Sequence, residues 1–378
     1  MDFFIKTEES HRVIRLLGVT AKRNTTDIEG RVLIEANDDG TVVFSANDRI
    51  TSISVLSKDA EVISPGKIVI PFDKMRSFVT SFHPWNGDFG TEKLHFVFDN
   101  SKMEILVETK HESGRKSKGN IRLDYFDPDV FIKPKEFERT DFILNSNMFK
   151  KSVTKVIYAI NKNEIRTFIQ GMNLRFEKDN LFFAGTNGML LSEYKVKNSN
   201  KLKNESLTLH YEFVSGLKRA LGEETQIFFE IDERNIIAKF DDVCFYGRLI
   251  TGVNYPDYRD QFDNYKHKII VAKDLLINSL APFTEILDSD DNNRLSFKIL
   301  DNKIILSTDD AKFDCDFDVE YNEEFVIDVN GAFMYQTVEA IEDDQILVKF
   351  SDDKGCMIFD SGNFEDQKGL ISPIRRRA

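Results

Sequence analysis

The chain has 378 residues, 41% hydrophobic and 30% charged, with 33 Phe, a single Trp and a formal net charge of −13. That balance excludes a disordered chain, and no window approaches the 18 uncharged apolar residues of a transmembrane helix. Met1 to Glu9 lacks a basic n-region and a long apolar run, so no signal peptide is expected and a cytoplasmic location is.

The first third opens with an apolar strand, Phe3-Phe4-Ile5, and a helical stretch from Ser10 to Lys22. A second start, Ile68-Val69-Ile70, leads into a helix from Phe72 to Phe82, and strands Leu94 to Phe98 and Met103 to Val107 follow. The middle third repeats this order. Phe142-Ile143-Leu144 precedes a helix from Asn147 to Ile160, then strands Phe168 to Phe176, Leu181 to Ala184 and Leu190 to Val196. Leu207-Thr208-Leu209 precedes a helix from Tyr211 to Leu221, then strands Ile227 to Ile231 and Ile236 to Phe240. In the last third Ile269-Ile270-Val271 precedes a helix from Lys273 to Leu287, with strands Leu295 to Leu300, Lys303 to Ser307 and Lys312 to Val319. Phe325-Val326-Ile327 then precedes a helix from Gly331 to Ile341 and strands Ile346 to Phe350 and Cys356 to Phe359. The two starts within each third lie 65, 65 and 56 residues apart. Such self-similarity at long period predicts a repeat architecture: six helix-plus-strands units paired into three α+β domains. The alternative is three unrelated α+β domains. Pro-containing connectors set the boundaries at 1–128, 129–258 and 259–378, because proline restricts itself and the residue before it.

Acidity is unevenly spread. The three segments carry −2, +1 and −12, and the six helical stretches together carry +4 while everything else carries −17. Lys150, Lys151, Lys155 and Lys162 recur at helical spacing, opposite Val153, Val156, Ile157 and Ile160. A solvated basic face is the ordinary reading. The shared sign of several helices against acidic strands favours an anionic ligand at the helix layer, with nucleic-acid phosphate the expected one.

No catalytic constellation stands out. There is no dinucleotide or phosphate-loop glycine motif, no nucleophile elbow and no HxH or HExxH spacing. Cys244, Cys315 and Cys356 form no CxxC pair, so buried thiols are expected in place of a disulfide framework or zinc site. Neither a metal nor a cofactor is expected. Asp314, Asp316 and Asp318 share one face of a strand and could hold a hard cation, although an exposed strand face explains them better. The pairs Asp290-Asp291, Asp309-Asp310, Asp343-Asp344 and Asp352-Asp353 suit turns.

Gly171-Met172-Asn173-Leu174-Arg175-Phe176 followed by Thr186-Asn187-Gly188-Met189-Leu190-Leu191 resembles the central stretch of the bacterial DNA polymerase III β subunit family. Tyr255-Pro256-Asp257-Tyr258-Arg259 matches that family's F-P-D-Y-R segment, and Ile371-Ser372-Pro373-Ile374-Arg375 resembles its terminal M-P-M-R. With the threefold repeat, the resemblance spans essentially the whole chain. It implies three clamp domains per chain, each with two helices packed on antiparallel sheets, and a closed ring of two subunits joined head to tail. It also implies a non-catalytic processivity factor in the bacterial cytoplasm or nucleoid, encircling duplex DNA without reading sequence. Polymerase and clamp loader would bind through peptide motifs in a cleft between the second and third domains. No membrane partner is expected.

The resemblance then assigns residues. DNA would meet Arg12, Arg15, Lys22, Arg23, Lys74, Arg76, Lys150, Lys151, Lys155, Lys162, Lys218 and Arg219. The peptide cleft would use Phe168, Ile169, Thr186, Gly188, Leu191, Pro256, Leu370, Ile371, Pro373 and Ile374. Subunits would join through Ile121 and Leu123 on one side and Leu276 and Leu280 on the other. Two departures stand out: the family's D-G-H-R-L is Asn187-Gly188-Met189-Leu190-Leu191, and Asp260 replaces the usual basic residue after P-D-Y-R. A less basic rim and altered peptide specificity follow, as in a divergent clamp of a phage or mobile element. The acidic last third also admits an adaptor with the clamp fold that binds proteins without encircling DNA, and the Asp-rich strand a metal-dependent enzyme.

Overall fold

The computed structural model describes residues 1–22, 28–87, 89–99, 102–200, 202, 205–252, 254–287, 293–315, 321, 323–361 and 366–375. Arg23, Asp290, Asp291, Asp316 and Asp318 lie outside these described residues.

The repeat is visible in the strand pairing. In each third the opening strand runs antiparallel to a later one, with Phe3 opposite Phe96, Phe142 opposite Phe229 and Ile269 opposite Val348. The first two pairs stack their rings, at centroid separations of 4.8 and 4.4 Å. The second opening strand of each third also takes an equivalent partner: Ile68 opposite Ile34, Leu207 opposite Leu174, Val326 opposite Lys298. Buried rings and aliphatic chains at the first set of these positions, Phe3, Phe96, Phe142, Phe229, Ile269 and Val348, pack in the core and help fix the register.

Six α-helices occupy the expected places among the described residues: α1 (Thr7–Leu17), α2 (Phe72–Val79), α3 (Ser146–Val156), α4 (Tyr211–Ala220), α5 (Lys273–Leu280) and α6 (Gly331–Ala340). All six end earlier than periodicity predicts, four of them by three residues or more, with α2 ending at Val79. Gly18 closes α1, and α3 passes into a 3-10 turn at Ile157–Ala159. The 3-10 segment Ala281–Glu285 follows α5 because Pro282 brings no N–H to continue it. The predicted strand Phe168 to Phe176 is a 3-10 turn, Thr167–Ile169, and then a strand, Gly171–Phe176. The hairpin at Asp301-Asn302 is a two-residue turn with both φ values positive, 52° and 62°, the geometry that matches strand twist.

The chain divides into two compact units. The first comprises 1–147 and 212–249, the second 148–211 and 250–378. In the first, a five-stranded sheet ends at Lys116–Leu123, and an eight-stranded sheet runs from Phe142–Asn145 to Gly66–Pro71. That larger sheet joins central strands to first-third strands, since Val243–Arg248 pairs with Thr51–Ser57. In the second, an eight-stranded sheet joins Leu190–Lys197 to Gln367–Ile371, and a four-stranded sheet ends at Lys312–Cys315. The central third therefore contributes strands to both eight-stranded sheets. In the first unit α1 packs on α2, and His11 Nε2 lies 3.0 Å from the Val79 carbonyl oxygen. In the second, α5 packs on α6.

Candidate DNA-facing and partner-binding sites

The helix cations fall into two classes. Arg15 is exposed and Arg76 is half-buried, and neither has an acidic partner within ion-pair distance among the described residues. Most others are already engaged. Arg12 makes two hydrogen bonds of 2.7 Å to Glu9, Lys22 holds Glu29 at 2.5 Å and Lys74 holds Asp124 at 2.6 Å. Arg219 donates to the carbonyl oxygens of Val19 and Ser215. Lys218 is half-buried, and that burial pushes its ammonium pKa down. Lys162 is exposed, but it sits beyond α3 on a turn, 5.7 Å over the Tyr211 ring.

α3 needs a correction. The 4-residue spacing places Lys155 on the helix's solvent face, but the residue is only 7% exposed. Its ammonium donates to the Ala340 carbonyl at the end of α6 and lies 3.0 Å from Glu342. Burial lowers its pKa while Glu342 opposes that change. Lys151 stays exposed and pairs with Glu342 at 2.6 Å; their hydrogen bond raises the lysine pKa and lowers that of the carboxyl. Lys150 is half-buried.

Strand pairing assembles much of the expected cleft. Leu191 pairs with Leu370 and Leu190 with Ile371, and Ser372 N–H donates to the Met189 carbonyl at 2.8 Å. The preceding turn follows from its residues. Asn187 Oδ1 accepts from the N–H groups of Met189 and Leu190 at 2.9 and 2.8 Å, and the Thr186 hydroxyl donates to the Leu190 carbonyl at 2.7 Å. Gly188 has φ +90°, so the backbone calls for glycine, and a Cβ there would lie 2.5 Å from Arg166 Nη2, the flexible end of a side chain that would have to move. Arg166 was not singled out by sequence reasoning. It lies over Gly188 because it also holds the Asn187 carbonyl and Glu164.

Beside this turn is an open cavity of about 670 Å³ lined by Met189, Asn330, Phe333, Lys354, Cys356 and residues 372–375. Pro373 and Ile374 thus line a groove. Burial raises the pKa of the Cys356 thiol at its wall. Leu191 and Leu370 lie instead in a closed apolar cluster with Tyr258, Phe262 and Ile358. Ile169 and Ile371 are buried, Phe168 is half-buried, and Pro256 is exposed. Within the P-D-Y-R segment, Asp257 accepts two bonds from Arg259, at 2.9 and 2.7 Å, which hold its carboxyl down to about 2. Tyr258 donates to buried Glu193 at 2.6 Å, and Arg175 holds the same carboxylate at 3.0 Å. A larger cavity, about 740 Å³, lies in the first unit around Arg49, Lys133 and Tyr246, and none of its lining belongs to the expected sets.

The expected subunit contact also needs correction. Leu123, Leu276 and Leu280 are buried within their own units, where a partner could not touch them. Ile121 is half-buried on the outer strand of the five-stranded sheet. Ile286 and Phe313, 51% and 42% exposed, are among the exposed large apolar residues of the described chain, and neither was expected at the contact. Phe313 rests edge-on against buried Phe283, 5.5 Å away.

Among the described residues there is no cluster of three or more His, Cys, Asp or Glu side chains with metal-site geometry. No helix there is long and apolar enough to cross a membrane.

Comparisons with known proteins bear on this arrangement. Residues 143–257 match the family described as DNA polymerase III beta subunit, central domain. The chain is 21% identical to the beta sliding clamp of Staphylococcus epidermidis, over 99% of each chain. In fold it resembles the DNA polymerase III beta subunits of Thermotoga maritima (TM-score 0.84, 20% identity) and Pseudomonas aeruginosa (TM-score 0.87, 15% identity), each over 100% of both chains.

Proposed function

Because this chain belongs to the DNA polymerase III beta sliding clamp family, whose members are non-catalytic polymerase accessory subunits of DNA replication, we propose that it is a processivity clamp. The observation that carries this reading is likeness to clamps along the entire chain, in sequence and in fold. In the finer reading, two copies join head to tail into a ring around duplex DNA, with domains at 1–128, 129–258 and 259–378. The helix layer faces phosphate without base contacts, so binding is electrostatic and sequence-independent. Topological enclosure keeps residence long although pairwise affinity is low.

Arg15, Arg76 and Lys162 are the cations most available for this role. Lys155 is left out because its charge is spent inside the protein. Polymerase and clamp-loader peptides would enter the groove at Pro373 and Ile374, with apolar side chains against Met189 and Phe333. Leu191 and Leu370 support that groove from beneath. Ring closure would use the outer strands Lys116–Leu123 and Lys312–Cys315, with Ile286 and Phe313 supplying apolar area. The site of action is the bacterial cytoplasm or nucleoid.

The test is retention on DNA. The protein is loaded onto nicked circular plasmid with a clamp loader, then gel-filtered at high salt before and after linearisation. Retention on circles and loss from linear DNA is expected, because salt removes the electrostatic contribution and leaves enclosure. Equal loss from both forms, with a loader shown active on another clamp, would overturn encirclement. That outcome would favour the second reading, a protein-binding adaptor of the same fold, which the −12 charge of residues 259–378 supports.

A further inference from the structure

Two ammonium groups of α3 converge on one carboxylate of the same unit. Glu342 Oε2 accepts from Lys151 Nζ at 2.6 Å, and Glu342 Oε1 lies 3.0 Å from Lys155 Nζ. The end of α6 does not depend on that carboxylate. Lys155 donates to the Ala340 carbonyl and Lys273 to the Ile341 carbonyl, so two cations already meet the negative end of the helix dipole. The Glu342 side chain is 61% exposed and that of Lys151 47%, so both can leave the pair for solvent, whereas Lys155 cannot. An exposed pair of this kind is weak and exchanges with other anions. The carboxylate is thus held between two lysines, and the open hollow beside Lys151 is lined as well by Tyr194, Asp343 and Asp366.

We infer that Glu342 is an intramolecular competitor for DNA phosphate at Lys151, setting how firmly the central third grips the duplex; this rests on the reading of α3 as a DNA-facing helix. A phosphate that displaces the carboxylate gains Lys151 as a direct donor, with Lys155 as a second positive charge behind it. While Glu342 stays in place, its carboxylate occupies Lys151 and offsets one of the two lysine charges. The chain then slides past phosphates it would otherwise hold.

The test uses the full-length protein and a fluorescein-labelled linear duplex of about thirty base pairs, with binding followed by anisotropy over a salt series. Glu342→Gln is expected to bind about three- to fivefold tighter at low salt, with a log–log salt slope steeper by about 0.9, one further phosphate. Lys151→Gln should cost more affinity in the Glu342→Gln background than in the wild type. Thermal melting checks that each variant is folded. Glu342→Asp, whose carboxylate reaches less far, should shift binding in the same direction and stands in if the amide variant fails to fold. Wild-type affinity and slope in the folded Glu342 variants, with Arg15→Gln still weakening binding, would overturn the competition and leave the DNA reading intact. Absence of salt-dependent binding by every form would overturn both.

Discussion

Arg15 on α1 and Lys155 on α3 look alike in the sequence, each a cation on an amphipathic helix three or four residues from another cation. In the folded chain Arg15 stands in solvent and Lys155 is buried against the end of α6. The helices themselves do not produce this difference. α1 keeps its outer side open, whereas the carbonyls of Ala340 and the carboxylate of Glu342 close over Lys155. A helix's own periodicity says which side is apolar, and only its neighbours decide whether the polar side meets water.

The contrast between covered and open positions can be broken most severely on α5. Leu276 is fully buried while adjacent Leu275 is 53% exposed. Leu276→Ala should cost about 2–5 kcal/mol in urea denaturation through the cavity it leaves. Leu275→Ala should stay within about 0.5 kcal/mol. Equal costs would mean that the α5 face is misassigned. Next in size is the pair that opened the comparison. Lys155→Ala should lose about 1–3 kcal/mol of stability, because the Ala340 carbonyl loses a charged donor, and should cost more in stability than in DNA affinity. Arg15→Ala should do the reverse, keeping the melting temperature and weakening DNA binding. At the cleft turn, Gly188→Ala should cost about 1 kcal/mol through its positive φ and push Arg166 aside, read as a lower melting temperature and altered peptide affinity. Unaltered melting would show that the turn relaxes without strain.

The smallest expected effect depends on pH. The Lys151 bond holds the Glu342 carboxyl below its ordinary value of 4.5. A depressed folded-state pKa adds stability that is present above 4.5 and lost as pH falls through the folded value. The melting-temperature gap between wild type and Glu342→Gln should therefore be present at neutral pH and close under acid conditions. A gap that widened toward acid would reverse the assigned sign.

The repeat, the six helices and most strands were legible because apolar alternation and turn residues act over short distances. Thr186 to Leu191 was equally legible, since its asparagine, threonine and glycine make the turn by themselves. Helix ends were less so: α1 stops at Gly18 and α5 before Pro282, although apolar periodicity runs on. The state of the cations was hidden, because the partner of Lys151 is 191 residues away. The same holds for Leu276, whose burial depends on core strands contributed by the last third. The resemblance marked it as a subunit contact, whereas its contacts in the fold are internal.

The eight-stranded sheets carry a mechanical consequence. Five consecutive residue pairs join Val243–Gly247 to Thr51–Val55, and five more join Leu190–Tyr194 to Gln367–Ile371. Each seam between thirds is thus a ladder of backbone hydrogen bonds, reinforced by the peptide that runs on between them. A pull along the strands must shear the whole ladder at once, so the seams resist load as welds do. Under tension, each seam would be among the last places to part within its own unit.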